Sequence, residues 1–145
     1  MAPLNASIEI ARSPEDVFAY IDDLSRHGEW QSQIREVEVE TDGPTRVGSR
    51  AREKRQVPGG VREMTYEITE HDPPRRASFR GIDGPVRVVG TVTVSPVDGG
   101  RSRVSLEIDL VGHGFGKLFA PMARSQLRKQ VPLDQLRLKE RLEAR

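Results

Sequence analysis

Few side chains in this chain are equipped for chemistry, and their spacing narrows what they can do. There are three histidines, His27, His71 and His113, and no cysteine. The histidines stand far apart in sequence, with no pair at a metal-ligand spacing. Without thiols there is no disulfide, thiolate metal site or cysteine nucleophile. The expectation is that the chain uses no metal and no cofactor. No Gly-x-Ser-x-Gly elbow is present, which argues against a hydrolase working through an acyl-enzyme. Gly112-x-Gly114-x-Gly116 lies between a strand pattern and a helix pattern. It lacks the third-glycine spacing, the βαβ unit and the later acidic residue of a dinucleotide loop. Its glycines are read instead as letting the chain turn tightly into the helix.

What remains for acid–base work is Tyr66, Glu53 and His113. His113 stands before the last helix, near the expected mouth of a pocket, and an imidazole titrates near neutrality. A solvated loop histidine is the favoured alternative. In the third strand, Ser49, Ala51, Glu53, Arg55 and Val57 share one face, and Arg50, Arg52, Lys54 and Gln56 share the other. Facing inward, Glu53 and Arg55 would place a charge pair on a pocket wall, able to orient a polar ligand group or perturb a pKa. The favoured reading is the reverse, a solvent-facing strand near a sheet edge, where charges block edge-to-edge pairing. Tyr66 lies between Met64 and Ile68 on the apolar face of the next strand. It points inward, and its hydroxyl needs a partner.

The elements that must position these groups are visible in the hydrophobic periodicity. A period of two marks strands over residues 5–11, 34–41, 47–57, 61–70, 76–82, 86–96 and 103–111. Ser13-Pro14-Glu15-Asp16 opens a helix with a good N-cap, a proline in its first turn and acids at the positive end of its dipole. A second short helix restarts near Asp22 and ends near Gly28, and Trp30, the only tryptophan, follows. Pro58-Gly59-Gly60 and Asp98-Gly99-Gly100 are hairpin turns. A long helix runs to about residue 143, with Phe115, Phe119 and Met122 on one face. Pro121 and Pro132 lie inside it and should bend it. Tight turns imply an antiparallel sheet, and helices at both ends of the chain imply an α+β class.

With 145 residues the chain suits one domain, 1–145, with a real core, and no repeat or linker interrupts it. The formal net charge of +1 argues against a nucleic-acid partner. The longest apolar run, at 86–94, is too short to span a bilayer, so no integral membrane association is expected. Met1-Ala2-Pro3-Leu4 shows no signal-peptide pattern, and the expected location is the cytoplasm. Abundant arginine, glycine and proline suggest a bacterial source. Basic stretches at 50–55 and 124–129 read as solvated faces, with contact to anionic membrane or an acidic partner as the alternative.

Ile8–Ile10 followed by Ser13-Pro14-Glu15-Asp16-Val17-Phe18, then Asp23-Leu24 and Trp30, and finally Leu118-Phe119-Ala120-Pro121 with Leu136-Leu138-Lys139, form an ordered set. In that order the chain resembles the polyketide cyclase/dehydrase branch of the START-like (SRPBCC) superfamily, over nearly its whole length. The resemblance implies a helix-grip fold. Two short helices would follow strand one, and a curved seven-stranded antiparallel sheet would grip the long C-terminal helix around a hydrophobic pocket. It supplies no universal catalytic motif. It places Trp30 and Ile34 near the pocket end. Arg55, Met64, Tyr66, Ile68 and Phe79 are the expected wall, with Phe115, Phe119 and Met122 as its floor on the long helix.

The preferred expectation is a protein that binds or carries a hydrophobic small molecule, such as a lipid, quinone or polyketide-like compound, without catalysing a reaction. One alternative is a polyketide cyclase, aromatase or dehydratase that uses the same pocket with Tyr66, Glu53 or His113 moving protons. Another is a protein-interaction module, and a homodimer is compatible with either.

Overall fold

The computed structural model describes residues 3–145; Met1 and Ala2 lie outside the described residues. Strand β1 (Leu4–Ile10) is followed by helix α1 (Pro14–Asp22) and a 3-10 helix (Leu24–Glu29). Then come β2 (Ile34–Val39), β3 (Arg50–Val57), β4 (Gly60–Asp72), β5 (Arg76–Gly81), β6 (Val86–Val97), β7 (Arg101–Gly112) and the long helix α2 (Gly116–Glu143). The seven strands form one sheet in the order β1-β7-β6-β5-β4-β3-β2. Every neighbouring pair is antiparallel. The α+β class, the seven strands and the closing helix therefore follow the periodicity.

The local signals act as their chemistry dictates. The Ser13 hydroxyl accepts from the Asp16 N–H at 3.2 Å, with Pro14 in the first helical turn. Asp23 caps the 3-10 helix, accepting from the Ser25 N–H at 3.2 Å. Pro96 sits inside β6, opposite Ser102 of β7. The pairing of β6 with β5 ends at Thr93, so on that flank no ladder bond needs an N–H from Pro96. Pro121 and Pro132 lie within α2 without ending it.

The main core joins α1 and the C-terminal half of α2 to β1, β5, β6 and β7 through Ile10, Val17, Phe18, Ile21, Ala77, Val94, Val104, Leu138 and Leu142, all buried. Burying a side chain of this size contributes about 1.5–3 kcal/mol. Polar ties fix the end of α2. Arg12 Nη1 donates to the Leu142 carbonyl at 2.8 Å, the Ala11 N–H donates to Glu143 Oε2 at 2.8 Å, and Lys139 Nζ donates to the Glu9 carbonyl at 2.9 Å. A second, smaller cluster of Leu24, Ala51 and Ile68 lies over β3 and β4, with Tyr66 and Phe79 half-buried against it. Helix α2 packs on β1 and β7. The inward-facing Met64, Tyr66 and Phe79 of β4 and β5 are left only partly covered.

Candidate functional site

Strand β3 decides where the charges go. It pairs with β2 on one side and β4 on the other, so β2 and not β3 forms the sheet edge. Ala51 is fully buried and Glu53 is 5% exposed, on the face shared with Tyr66 and Met64 across the ladder. The edge-strand reading of this face is thus overturned: Ser49, Ala51, Glu53 and Arg55 face inward. The opposite face takes the solvent, where Arg50, Arg52 and Lys54 pair with Glu67, Glu40 and Glu36.

Around Glu53 a polar cluster assembles from four elements. Arg55 Nε donates to Glu53 Oε1 at 2.6 Å, and Arg55 Nη2 donates to Gln31 Oε1 just beyond the 3-10 helix. From β4, the Tyr66 hydroxyl approaches His27 Nδ1 at 3.4 Å, with the two rings 7° from parallel. His27 Nε2 lies 2.8 Å from the Ile21 carbonyl. A carbonyl only accepts, so Nε2 carries the proton and Nδ1 is left to accept from Tyr66. Trp30 meets the His27 ring edge-on at 5.4 Å. From α2, Asp134 is buried and accepts from Gln130 Nε2 at 2.8 Å; Gln130 also donates to Ser32 Oγ at 2.9 Å. These bonds tie α2 to the segment that carries Trp30 and Gln31.

Burial sets the protonation states. Desolvation pushes the His27 pKa down, against its carbonyl bond and the nearby Glu53 charge, and holds the ring neutral. Desolvation, reinforced by Glu53, raises the Tyr66 pKa, which keeps the phenol protonated. Desolvation also raises the Asp134 pKa, opposed by its bond from Gln130 and by the Arg55 charge. Two buried atoms of this cluster have no hydrogen-bond partner among the described residues: the Trp30 Nε1 donor and the Glu53 Oε2 acceptor. A buried polar atom left unpaired costs about 1–3 kcal/mol, so each of these two is open to a further partner.

Beside the polar cluster lies an apolar surface. Ile68 and Ile34 are buried, while Met64, Tyr66 and Phe79 are half-buried on the concave side of the sheet. Phe79 and Tyr66 meet edge-to-face at 6.1 Å. Gly90 of β6 makes room for Phe79, since a Cβ there would lie 2.7 Å from Phe79 Cζ. Two open concavities lie elsewhere. One of about 340 Å³ lies on the outer face of the sheet, by Asn5, Ser7, Arg76 and Thr91. One of about 250 Å³ lies between α1 and the end of α2, by Arg12, Tyr20 and Arg145.

The structure brings Trp30, Ile34, Glu53, Arg55, Met64, Tyr66, Ile68 and Phe79 to one side of the sheet. It does not bring the helix residues with them. Phe115, Phe119 and Met122 are 83%, 55% and 69% exposed, and they do not form a buried floor. The buried positions of that half-helix are Gly116 and Ala120, because α2 starts hard against the β5–β6 turn. His113 is an exposed loop residue whose backbone N–H donates to the Pro85 carbonyl at 2.7 Å. The sequence reading missed His27, Gln31, Gln130 and Asp134. Asp134 alone left a signal, as an acid in the apolar stripe between Val131 and Leu138. Among the described residues no three His, Asp or Glu side chains gather as metal ligands, and no helix is long and apolar enough to cross a membrane.

Residues 1–143 match the family model described as polyketide cyclase/dehydrase and lipid transport. The chain belongs to that family. The Mycobacterium tuberculosis protein Rv1546, whose function is uncharacterized, is 30% identical over 133 residues, 86% of this chain and 88% of its own. A START superfamily protein from Mycobacterium smegmatis superposes with a TM-score of 0.82 at 12% identity, covering 99% of each chain. The ZhuI aromatase/cyclase from Streptomyces sp. R1128 superposes with a TM-score of 0.76 at 17% identity, covering 97% of this chain and 90% of that one. The fold is thus the START-like helix grip.

Proposed function

We propose that this member of the family binds a hydrophobic small molecule, such as a lipid, quinone or polyketide-like compound, on the concave face of the sheet. The ligand body lies on Met64, Tyr66, Ile68 and Phe79, and its polar group enters the cluster beside Trp30 and Glu53. The observation that carries this reading is the pair of buried, unpartnered atoms, Trp30 Nε1 and Glu53 Oε2. One donates and the other accepts, and a ligand hydroxyl or phenol can pair with either. Apolar burial supplies the affinity and these two atoms the orientation.

Trp30 is the sole tryptophan, so its fluorescence reports this site directly. Titration with a fatty acid, a hydroquinone and a polyphenol should give a saturable change for at least one of them. Glu53→Gln should weaken that response most for the hydroxylated compounds. Native mass spectrometry of the freshly purified protein, with organic extraction, should find a bound compound of the same class. A flat titration together with protein at its bare mass refutes the reading.

A second reading, a cyclase or dehydratase, is favoured by one observation, the neutral His27 beside the protonated Tyr66 hydroxyl. That pair can relay a proton to or from a bound carbonyl compound. Turnover of a polyketide-like substrate, lost in Tyr66→Phe while binding persists, separates it from the carrier.

A further inference from the structure

Helix α2 carries large apolar residues on the side turned away from the core. Phe115, Leu118, Phe119 and Met122 follow one another at helical spacing, with exposures of 83%, 77%, 55% and 69%. Leu133 and Leu136 continue the row at 59% and 50% exposed. The buried face, through Ala120, Val131 and Leu138, lies across the helix from Leu118 and Met122. Scattered exposed apolar residues are ordinary, but Phe115, Leu118, Phe119 and Met122 grouped at the start of one helix form a patch that marks an interaction surface.

The charge around the patch selects its partner. From Leu110 to Leu133 the chain holds Lys117, Arg124, Arg128 and Lys129 and no acid. Arg124 is spoken for by Asp109, at 2.9 Å. Lys117 and Lys129 are exposed; Lys129 follows Met122 by seven residues and so shares its side of the helix. Asp83, the acid of the neighbouring β5–β6 turn, is engaged by the Thr65 N–H at 2.9 Å. An exposed row of Phe, Leu and Met set in a cation-only segment matches an anionic bilayer surface. The apolar residues enter the acyl boundary and Lys129 meets the lipid phosphates.

We infer that the N-terminal half of α2 docks the protein peripherally on an anionic phospholipid membrane. This surface lies on the outside of the helix, apart from the Trp30–Glu53 cluster, and the inference stands whether or not that cluster binds a ligand.

The test is co-sedimentation of the full chain with phosphatidylcholine vesicles, with and without phosphatidylglycerol, at low and high salt. The expected result is pelleting with phosphatidylglycerol vesicles that falls with salt. Met122→Asp and Phe115→Asp should each lower it about tenfold, and Lys129→Glu several-fold. These positions are exposed, so the variants should keep the wild-type melting temperature and the Trp30 ligand response. Absence of pelleting at low salt overturns the inference, as does pelleting that the three substitutions leave unchanged. A dimer in light scattering that Met122→Asp dissociates, with no vesicle binding, overturns it in favour of a second copy of the chain.

Discussion

His27 and Tyr66, 39 residues apart in sequence, stack with Nδ1 3.4 Å from the phenolic oxygen. The Ile21 carbonyl behind the imidazole fixes the tautomer, and burial keeps the ring uncharged. The pair therefore holds a hydroxyl proton between two neutral groups, beside the only charge pair on the concave face of β3, Glu53 and Arg55. A proton on His27 would take Nδ1 away as an acceptor and add a positive charge next to Arg55.

That arrangement makes stability depend on pH in a defined direction. The folded-state pKa of His27 lies below its ordinary value of 6.5. As pH falls through about 6.5 the unfolded chain takes up a proton there before the folded chain does, so stability drops until the folded pKa is reached. The groups facing the ring are Tyr66, Glu53, Arg55 and Asp23. Asp22 and Asp134, raised by burial, act with the opposite sign, and their window lies lower, toward the carboxylate range. The melting temperature of His27→Gln should therefore fall less than that of wild type between about pH 7 and pH 5. Parallel curves for the two proteins would show that His27 does not titrate in this way.

Arg55 is the counter-charge of a carboxylate that is 5% exposed. Arg55→Ala strands Glu53, and breaking such a pair costs about 3–5 kcal/mol. Arg52→Ala, on the solvent side of the same strand, should cost less than about 1 kcal/mol. The double variant Glu53→Leu/Arg55→Met should recover most of the loss, since it removes both charges and keeps the volume. Urea unfolding of the four proteins checks this. Equal losses for Arg55→Ala and Arg52→Ala would mean that the Glu53 carboxylate is not truly desolvated.

The strands, the turns and the first helix were legible because each rests on local chemistry: alternation, a serine cap, glycines that accept a positive φ at Gly59, Gly60, Gly99 and Gly100. The face of β3 was not. Both of its faces carry charges, and only the pairing of β2 alongside it shows that it is not an edge. Nor was the buried side of α2, where apolar residues lie all round the first turns. Close approach to Pro85 chooses Gly116 and Ala120 for the inside and leaves Phe115 and Phe119 out. The His27–Tyr66 contact joins two elements far apart in the chain, and nothing in the residues around either one announces the other.

The same contrast between the two sides of α2 can be measured further along. Leu138 is 1% exposed in the main core, and Leu136 is 50% exposed two residues before it. Leu138→Ala should cost about 2–5 kcal/mol, the lost transfer energy plus the cavity. Leu136→Ala should change stability by no more than about 0.5 kcal/mol. Thermal or urea unfolding decides. Similar losses at both sites would mean that the outer face of α2 is covered in solution.

The glycines that open α2 divide in the same way. A Cβ on Gly116 would lie 1.7 Å from the Pro85 carbonyl oxygen, a backbone atom that cannot swing aside. Around Gly114, with φ +58°, a Cβ meets nothing within 4 Å. Gly114→Ala should therefore cost about 1 kcal/mol, the penalty of a positive φ alone. Gly116→Ala must push the helix start off the β5–β6 turn, breaking the bond from the His113 N–H to the Pro85 carbonyl, and should cost at least about 3 kcal/mol. Hydrogen exchange of the His113 amide localises the effect. It should quicken strongly in Gly116→Ala and little in Gly114→Ala, and equal protection in both would show that α2 does not begin against Pro85.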